Sequence, residues 1–274
     1  MTVDARSTPL APRWVAVTDT AHRAGAVTMT TVRVRNAGTA TWRSRGTEGL
    51  QVAYHWLDTL GNPIVWDGVR TALPEPVRPG GEVVLAVSVR APRPPGRYLL
   101  RFDLVEEHRF WLAELGCDTL DVAVDVLPRI ARRRLAVVVH GGSDASTETA
   151  LAGQEEQLVT EDPVAVGHLV AGAVPPPDWS QRVLDAHEEG WAAVGPAVVP
   201  GGGPLARRRG SRRLAAWAPA GRNPRFDGPL LLPSLLVGLE PGEHDGLAAY
   251  EGPDALFDGR LVVTLLPRSG RRPT

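Results

Sequence analysis

Lysine is absent from this chain: all 30 basic residues are arginine. They are balanced by 31 acidic residues, and the formal net charge of -1 at pH 7 excludes a general binder of nucleic acid or of anionic membrane surfaces. Cysteine occurs once, as Cys117, which excludes an intrachain disulfide and a cysteine-based zinc site. Phe and Tyr are scarce, with 4 and 3 copies, so most of the large aromatic surface belongs to 8 tryptophans. Long apolar runs are missing too. The longest, Leu230 to Leu239, is broken by Pro233 and Gly238 and is too short to span a bilayer. The opening residues, MTVDARSTPLAPRW, lack the apolar centre of a secretory leader. A cytoplasmic protein without membrane insertion is expected.

What is present is a chain of 274 residues with 43% hydrophobic content, enough for normal cores and for two ordinary domains. The composition leans to Arg, Ala, Gly, Pro and Val throughout. Arginine clusters such as Arg132-Arg133-Arg134 and Arg207-Arg208-Arg209 are therefore read as solvated linker or loop charge rather than phosphate sites.

From Trp14 to Val126 the pattern is one of short alternating runs. Leu50, Val52, Tyr54 and Trp56 share a face, as do Val83, Leu85, Val87 and Val89. Tyr98, Leu100, Phe102 and Leu104 form a third set, and Leu120, Val122, Val124 and Val126 a fourth. A period of two places alternate side chains on opposite faces of a sheet. Leu60-Gly61-Asn62-Pro63, Pro79-Gly80-Gly81 and Pro94-Pro95-Gly96 supply turns between the runs. Several such strands predict an antiparallel sandwich over residues 10–128. Trp42, Trp56 and Trp111 are expected to fill the gap between its sheets.

Asn36-Ala37-Gly38-Thr39 with Trp42, then Tyr54 to Pro74, Pro79-Gly80, Pro95-Gly96-x-Tyr98 and Asp103-Leu104-Val105-Glu106 before Trp111, resemble an Ig-like domain appended to bacterial glycosyltransferases and other polysaccharide-assembly proteins. The tryptophan pattern also resembles the four-tryptophan Ig-like domain of autophagy receptors. The resemblance covers residues 26 to 126 and implies a binding or docking module. Trp66 with Asp67, Arg70 and His55 makes a candidate saccharide surface, since a flat aromatic suits a sugar ring and polar groups suit its hydroxyls. Trp66 and Arg70 also suit a loop pinned to the sandwich, and pinning is the favoured reading of these two. Truncating a buried Trp66 would cost about 3–5 kcal/mol, and truncating an exposed one far less.

Pro128 ends the last run, and Arg129 to Arg134 is read as a solvated connection, with a second domain over 134–274. Leu135 to His140 is a continuous apolar run, as in a strand buried on both faces. A helix is predicted over Ser146 to Val159, capped by Asp144 or Ser146, followed by a strand over Val164 to Val170. Then come a proline loop, a helix from Asp178-Trp179 to Gly190, and an apolar strand over Trp191 to Val199. The order strand, helix, strand, helix, strand predicts a small open α/β sheet.

The segment His168 to Pro200 resembles the part of family 2 glycosyltransferases (GT-A type) that carries the Asp-x-Asp metal motif, and the likeness extends over residues 135 to 200. The matching positions here are Val170, Ala171 and Gly172, which supply no side-chain oxygen for a hard cation. The chain before them leaves no room for the family's nucleotide-base pocket. Asp178 is read as a helix cap. The resemblance thus implies a reduced, degenerate domain.

Other motifs are incomplete. Val137 to Asp144 resembles the strand and oxyanion loop of α/β-hydrolases, but no Gly-x-Ser-x-Gly elbow follows. His187-Glu188-Glu189 lacks a second zinc histidine and is read as a solvated helix end. Gly201-Gly202-Gly203-Pro204 is not a phosphate loop, for no Gly-Lys-Ser/Thr follows. Arg212 to Trp217 suits one or two helical turns, and Ala255 to Leu266 a hairpin turning at Asp258-Gly259.

The expected fold is an all-β Ig-like sandwich followed by a small, reduced α/β domain. The expected function is non-catalytic binding of a glycan or a glycan-assembly enzyme in bacterial polysaccharide or glycoconjugate metabolism, with no cofactor, no metal and no catalytic residue. The alternatives are a metal-independent glycosyltransferase and a hydrolase built on His140-Gly141-Gly142.

Overall fold

The computed structural model describes residues 9–18, 21–46, 48–140, 142–201, 214–215, 237–238 and 255–266. The chain divides into two compact units, Met1–Leu127 and Pro128–Thr274.

The first unit is built from β1 (Pro12–Val17), β2 (Val27–Asn36), β3 (Ser44–Arg45), β4 (Glu48–Leu57), β5 (Pro63–Val65), β6 (Thr71–Ala72), β7 (Glu82–Arg90), β8 (Gly96–Glu106), β9 (Phe110–Trp111) and β10 (Leu120–Val126). One antiparallel sheet runs β1-β2-β7 and the other β10-β8-β4-β3, with β5 and β6 on β4 and β9 on β8. Counting the six long strands alone, the first, second and fourth form one sheet and the third, fifth and sixth the other, as strands A, B, E and C, F, G do. That is the strand order of an Ig-like sandwich.

The alternating runs explain why the sheets face each other. Leu50, Val52, Tyr54 and Trp56 of β4 and Leu100, Phe102 and Leu104 of β8 meet Val32 and Val34 of β2 and Leu85, Val87 and Val89 of β7, all buried. Two aromatics also tie the sheets by hydrogen bonds. Trp56 Nε1 donates to the Arg90 carbonyl at 2.8 Å, and Tyr54 Oη accepts from the Arg90 amide at 2.9 Å. Tyr98, near the start of β8, donates its hydroxyl back to the Pro94 carbonyl at 2.7 Å, the corner contact typical of this fold. Two residues on, where antibody domains carry the second cysteine of the inter-sheet disulfide, this chain buries Leu100.

The Asn36–Thr39 motif acquires a physical reason. The buried Asn36 amide donates to the Ala40 and Val77 carbonyls at 2.8 and 2.9 Å and accepts from the Gly38 amide at 3.0 Å. A Cβ on Gly38 would lie 2.3 Å from the Pro9 carbonyl oxygen, so only glycine lets the segment before β1 pass there. Trp42 and Trp56 are core residues, as expected. Trp111 is not between the sheets: it is buried against Ala53 and Val105 on the outer face of the larger sheet.

The second unit contains β11 (Leu135–His140), α1 (Ala145–Ala152), β12 (Ala165–Val170), β13 (Ala173–Val174), α2 (Trp179–Glu189), β14 (Ala193–Pro200), β15 (Leu214–Ala215), β16 (Val237–Gly238) and β17 (Ala255–Leu265). The strands form one mixed sheet in the order β11-β12-β16-β14-β17-β13, with β15 on β14. β11 pairs in parallel with β12, and β14 with β17. The amphipathic helix α2 buries Trp179, Val183, Leu184, Ala186 and His187 on one side. Gly167 on β12 makes room for this, since a Cβ there would come within 2.7 Å of the Trp179 ring.

Several expectations are corrected here. Ala255 to Leu265 is not a hairpin but one strand that runs parallel to β14 and bulges after Asp258. Pairing with an apolar neighbour outcompeted the local turn signal of Asp-Gly. Leu214-Ala215 is strand rather than helix, and the rest of 212–217 lies outside the described residues, as do Gly141, 202–204 and 207–209. The α1 helix ends at Ala152, where the Gly153 amide bonds the Thr149 carbonyl at 3.2 Å and the Gln154 amide bonds the Leu151 carbonyl at 3.4 Å. Asp144 caps it, accepting from the Ser146 and Thr147 amides at 3.0 Å. Asp178 makes no side-chain cap; its carboxylate pairs with Arg182 instead. The Arg129–Arg134 run is not a free connection. Arg133 reaches Glu156, Asp185 and Glu188, and Arg134 bonds the Glu161 and Asp162 carbonyls. His187 is fully buried rather than solvated, with Nδ1 at 2.8 Å from the Trp191 carbonyl oxygen.

Candidate functional site

On the outer face of the larger sheet, Gln51, Ala53 and His55 of β4 lie beside Arg101, Asp103 and Val105 of β8, because His55 pairs with Arg101, Ala53 with Asp103 and Gln51 with Val105. Alternation alone would make this face wet. It is instead covered by Trp66, which follows β5, and by Trp111 of β9, so that β4 is buried on both sides.

His55 is the pedestal of the cover. It is 1% exposed and stacks on Trp66 with ring centroids 4.1 Å apart and an interplanar angle of 30°. The Trp111 ring lies 4.3 Å away at 56°, and Trp66 meets Trp111 edge-on at 6.1 Å. His55 Nδ1 contacts the Trp66 carbonyl oxygen. On its other side, Nε2 is 4.0 Å from Asp103 Oδ2.

Asp103 has no exposed surface. Its carboxylate accepts from the Leu104 amide at 2.7 Å and from the Ala113 amide at 3.3 Å. The latter bond holds the 3-10 turn Leu112–Leu115 that follows Trp111. Burial pushes the Asp103 carboxyl up to about 6, against the pull of those two amides and of Arg101. Burial likewise lowers His55 below its ordinary value. Arg101 itself is held by Asp121 in a two-pronged bond, both contacts at 2.7 Å.

Arg70 fastens the loop. Its guanidinium lies 4.9 Å from the Trp111 ring centroid. Nε bonds Glu107 at 3.1 Å, one terminal nitrogen bonds the Gly68 carbonyl at 2.8 Å, and the other bonds Asp67 at 2.9 Å. Gly68 seats the loop on β4: its amide donates to the Tyr54 carbonyl at 2.9 Å, and a Cβ would lie 2.3 Å from that oxygen.

The structure therefore brings His55, Trp66, Asp67 and Arg70 together, in two different roles. His55 and Arg70 are committed to holding the loop. Trp66 is 43% exposed and the Asp67 side chain 69% exposed, so these two present themselves to solvent. His55 is taken up by Trp66 and Trp111, with its Nδ1 on the Trp66 carbonyl. Asp103 and Trp111 are the members that pattern reading missed as site residues. Asp103 did carry a signal, being an acid on the outer face of a strand whose neighbours Leu104 and Val105 are apolar.

In the second unit, Val170 ends β12, and Ala171 and Gly172 form the turn to β13, with Gly172 at φ 91°. The Gly172 amide donates to the buried Thr147 hydroxyl at 3.0 Å, and its carbonyl accepts from Leu266 at 2.8 Å. The turn is occupied by its own backbone bonds. The α1 N-terminus beside it is filled by the Asp144 carboxylate.

No protein-family model matches the chain, and no curated protein matches it. Among solved structures, the chain is similar to the ASH/PapD-like domain of human CEP192 (PapD-like domain 7). The identity is 16% and the TM-score 0.23, over 46% of this chain and 90% of that one. It is also similar to a family 123 glycoside hydrolase from Clostridium perfringens, studied for glycolipid glycan hydrolysis. There the identity is 9% and the TM-score 0.21, over 48% of this chain and 26% of that one. Overlaps this loose carry no functional weight, and the fold assignment stands on strand order and core.

Proposed function

We propose that this is a non-catalytic binding protein of bacterial polysaccharide or glycoconjugate metabolism. Its Ig-like sandwich would contact a glycan or a glycan-assembly enzyme through Trp66 and Asp67, with His55, Arg70 and Trp111 as the supporting framework. The second unit would be a reduced α/β domain of glycosyltransferase-like descent, with Val170-Ala171-Gly172 where catalytic relatives carry their metal-binding carboxylates.

The observation that carries this reading is the preparation of Trp66. An indole left free to rotate would lose entropy on binding, and one stacked on His55 and braced by Trp111 has lost it already. Its exposed surface and the adjacent carboxylate offer an apolar plane with a hydrogen-bond acceptor beside it, the combination that a pyranose ring with hydroxyls uses.

The test is retention of the full chain on immobilised neutral and acidic oligosaccharides, comparing wild type with Trp66→Ala. Wild type is expected to be retained and the variant to bind at least tenfold more weakly. Because Trp66 is only half covered, truncation is expected to cost about 1–2 kcal/mol, well below the 3–5 kcal/mol of a fully buried tryptophan. Equal retention of both proteins would remove Trp66 from the surface, and no retention of either would remove the glycan.

A further inference from the structure

We propose that β7 (Glu82–Arg90) is the seat of a symmetric dimer, in which its free edge pairs antiparallel with the β7 of a second copy of this chain. The proposal goes beyond the reading of Trp66 and does not depend on it.

The two ends of β7 give the direction of its backbone groups. Just before it, the Gly81 carbonyl accepts from the Asn36 amide of β2, and just after it, the Ala91 amide donates to the Ala26 carbonyl beside β2. Backbone groups alternate along an antiparallel strand. The odd-numbered residues therefore bond β2, while Glu82, Val84, Ala86, Ser88 and Arg90 direct their amides and carbonyls the other way. Arg90 shows the alternation, for its amide donates to the Tyr54 hydroxyl and its carbonyl accepts from the Trp56 indole. Nothing comparable meets the middle of the strand. Among the described residues, the outward amides and carbonyls of Val84, Ala86 and Ser88 have no hydrogen-bond partner. β6 comes close from the other sheet but gives its ladder bonds to β4.

Exposed edges invite pairing, and soluble proteins guard them with proline, bulges, charge or short length. The other edges of this unit are guarded in those ways. β1 opens with Pro12 and changes register between Trp14 and Ala16. β10 exposes Asp121 and Asp125, and pairing with itself about Ala123 would set one acid against the other. β3, β5, β6 and β9 are two or three residues long. β7 has nine residues, no proline and no register shift against β2. Its wet face carries Val84, 53% exposed, with Ala86 and Ser88.

The order of side chains along β7 selects the occupant. An antiparallel pair centred on Ala86 sets Ala86 against the partner's Ala86, Val84 against the partner's Ser88, and Glu82 against the partner's Arg90. The inner residues are those whose backbone points outward, and each facing pair of that kind exchanges two hydrogen bonds. At both ends an acid meets an arginine, and Glu82 has Arg35 of β2 on its other side. The Arg90 guanidinium carries several donors, of which Nη1 reaches the Gly25 carbonyl at 3.4 Å. Moving the centre by one residue in either direction shortens the ladder and sets Glu82 or Arg90 against an uncharged residue. An unrelated extended peptide would satisfy the same backbone groups, but the mirrored placement of Glu82 and Arg90 about Ala86 matches this strand itself. A ladder this short makes a small interface, so the dimer forms and dissociates with concentration.

The experiment is sedimentation velocity of the full chain from roughly 1 to 200 μM, a range suited to a small interface. Wild type is expected to pass from monomer to dimer across it, and the Val84, Ala86 and Ser88 amides to gain protection from hydrogen exchange as the dimer fills. Ala86→Pro removes an N–H that faces away from β2, a position at which an edge strand accepts proline. It should keep the fold, checked by circular dichroism, and weaken the dimer at least tenfold. Glu82→Arg sets arginine against arginine and should also weaken it, and Glu82→Arg combined with Arg90→Glu should restore it. If Ala86→Pro does not fold, the charge exchange decides. A chain that is monomeric at every concentration overturns the proposal, and protection of the three amides in such a monomer would assign the edge to another segment of the same chain. A dimer that survives both the proline and the reversed charge, or a double exchange that restores nothing, overturns it as well.

Discussion

His187 sits in the core of the second unit with no exposed surface, and burial lowers its pKa to about 4. The unfolded chain takes up a proton near 6.5, whereas the folded one resists until about 4. Between those values the unfolded state binds more protons, so stability falls as the pH falls. The contribution is fully present above pH 6.5 and is lost on the way down to pH 4; it amounts to about 3 kcal/mol for this single group. Urea unfolding followed by amide signals of α2 should show that loss. His187→Phe, which buries no titratable nitrogen, should flatten the slope over the same range. An unchanged slope in the variant would assign the acid sensitivity elsewhere.

Among the elements, β4 explains most about the first unit. One face supplies core residues, and the other carries the pedestal of the Trp66 cover. The cover depends on Gly68, whose backbone rests on Tyr54 with no room for a methyl group. Gly68→Ala is expected to lift the loop, break the stacking of Trp66 on His55 and cost about 1–3 kcal/mol. A rise in quenching of Trp66 fluorescence, measured by difference against Trp66→Phe, checks it. Unchanged quenching and melting would mean that the loop is held by Arg70 alone. In the second unit α2 has the comparable role, with Trp179 over Gly167 and its solvent side held by Arg133 through Glu188 and Asp185.

For the whole molecule, the decisive question is whether chemistry accompanies binding. The β12–β13 turn offers backbone groups already engaged with Thr147 and Leu266. Calorimetry with UDP- and GDP-sugars plus Mn²⁺ or Mg²⁺ is expected to show no metal-dependent binding. Tight, metal-dependent binding would return the protein to the glycosyltransferases and displace the non-catalytic reading.

The sequence by itself determined the sandwich strands, because a period of two needs no long-range information. The sets led by Leu50, Val83 and Tyr98 each identify one dry face. It also determined that Val170, Ala171 and Gly172 offer no side-chain oxygen to a cation, which is a matter of residue identity. Helix α2 was legible from its Asp-Trp opening and its glycine end. The candidate site was only half legible. Trp66, Asp67 and Arg70 are neighbours in sequence, but which of them faces solvent depends on Glu107 and Trp111, far along the chain. Asp103 and His55 became partners only through strand pairing between β4 and β8. The same limit misplaced Trp111, the Arg129–Arg134 run and the Asp258-Gly259 turn. Alternation says which side chains share a face, and local turn chemistry says where a chain is able to bend. Whether a face is covered, a charge is paired or a turn is made depends on which distant segment arrives to compete for the same hydrogen bonds and surface, and only the tertiary structure decided that.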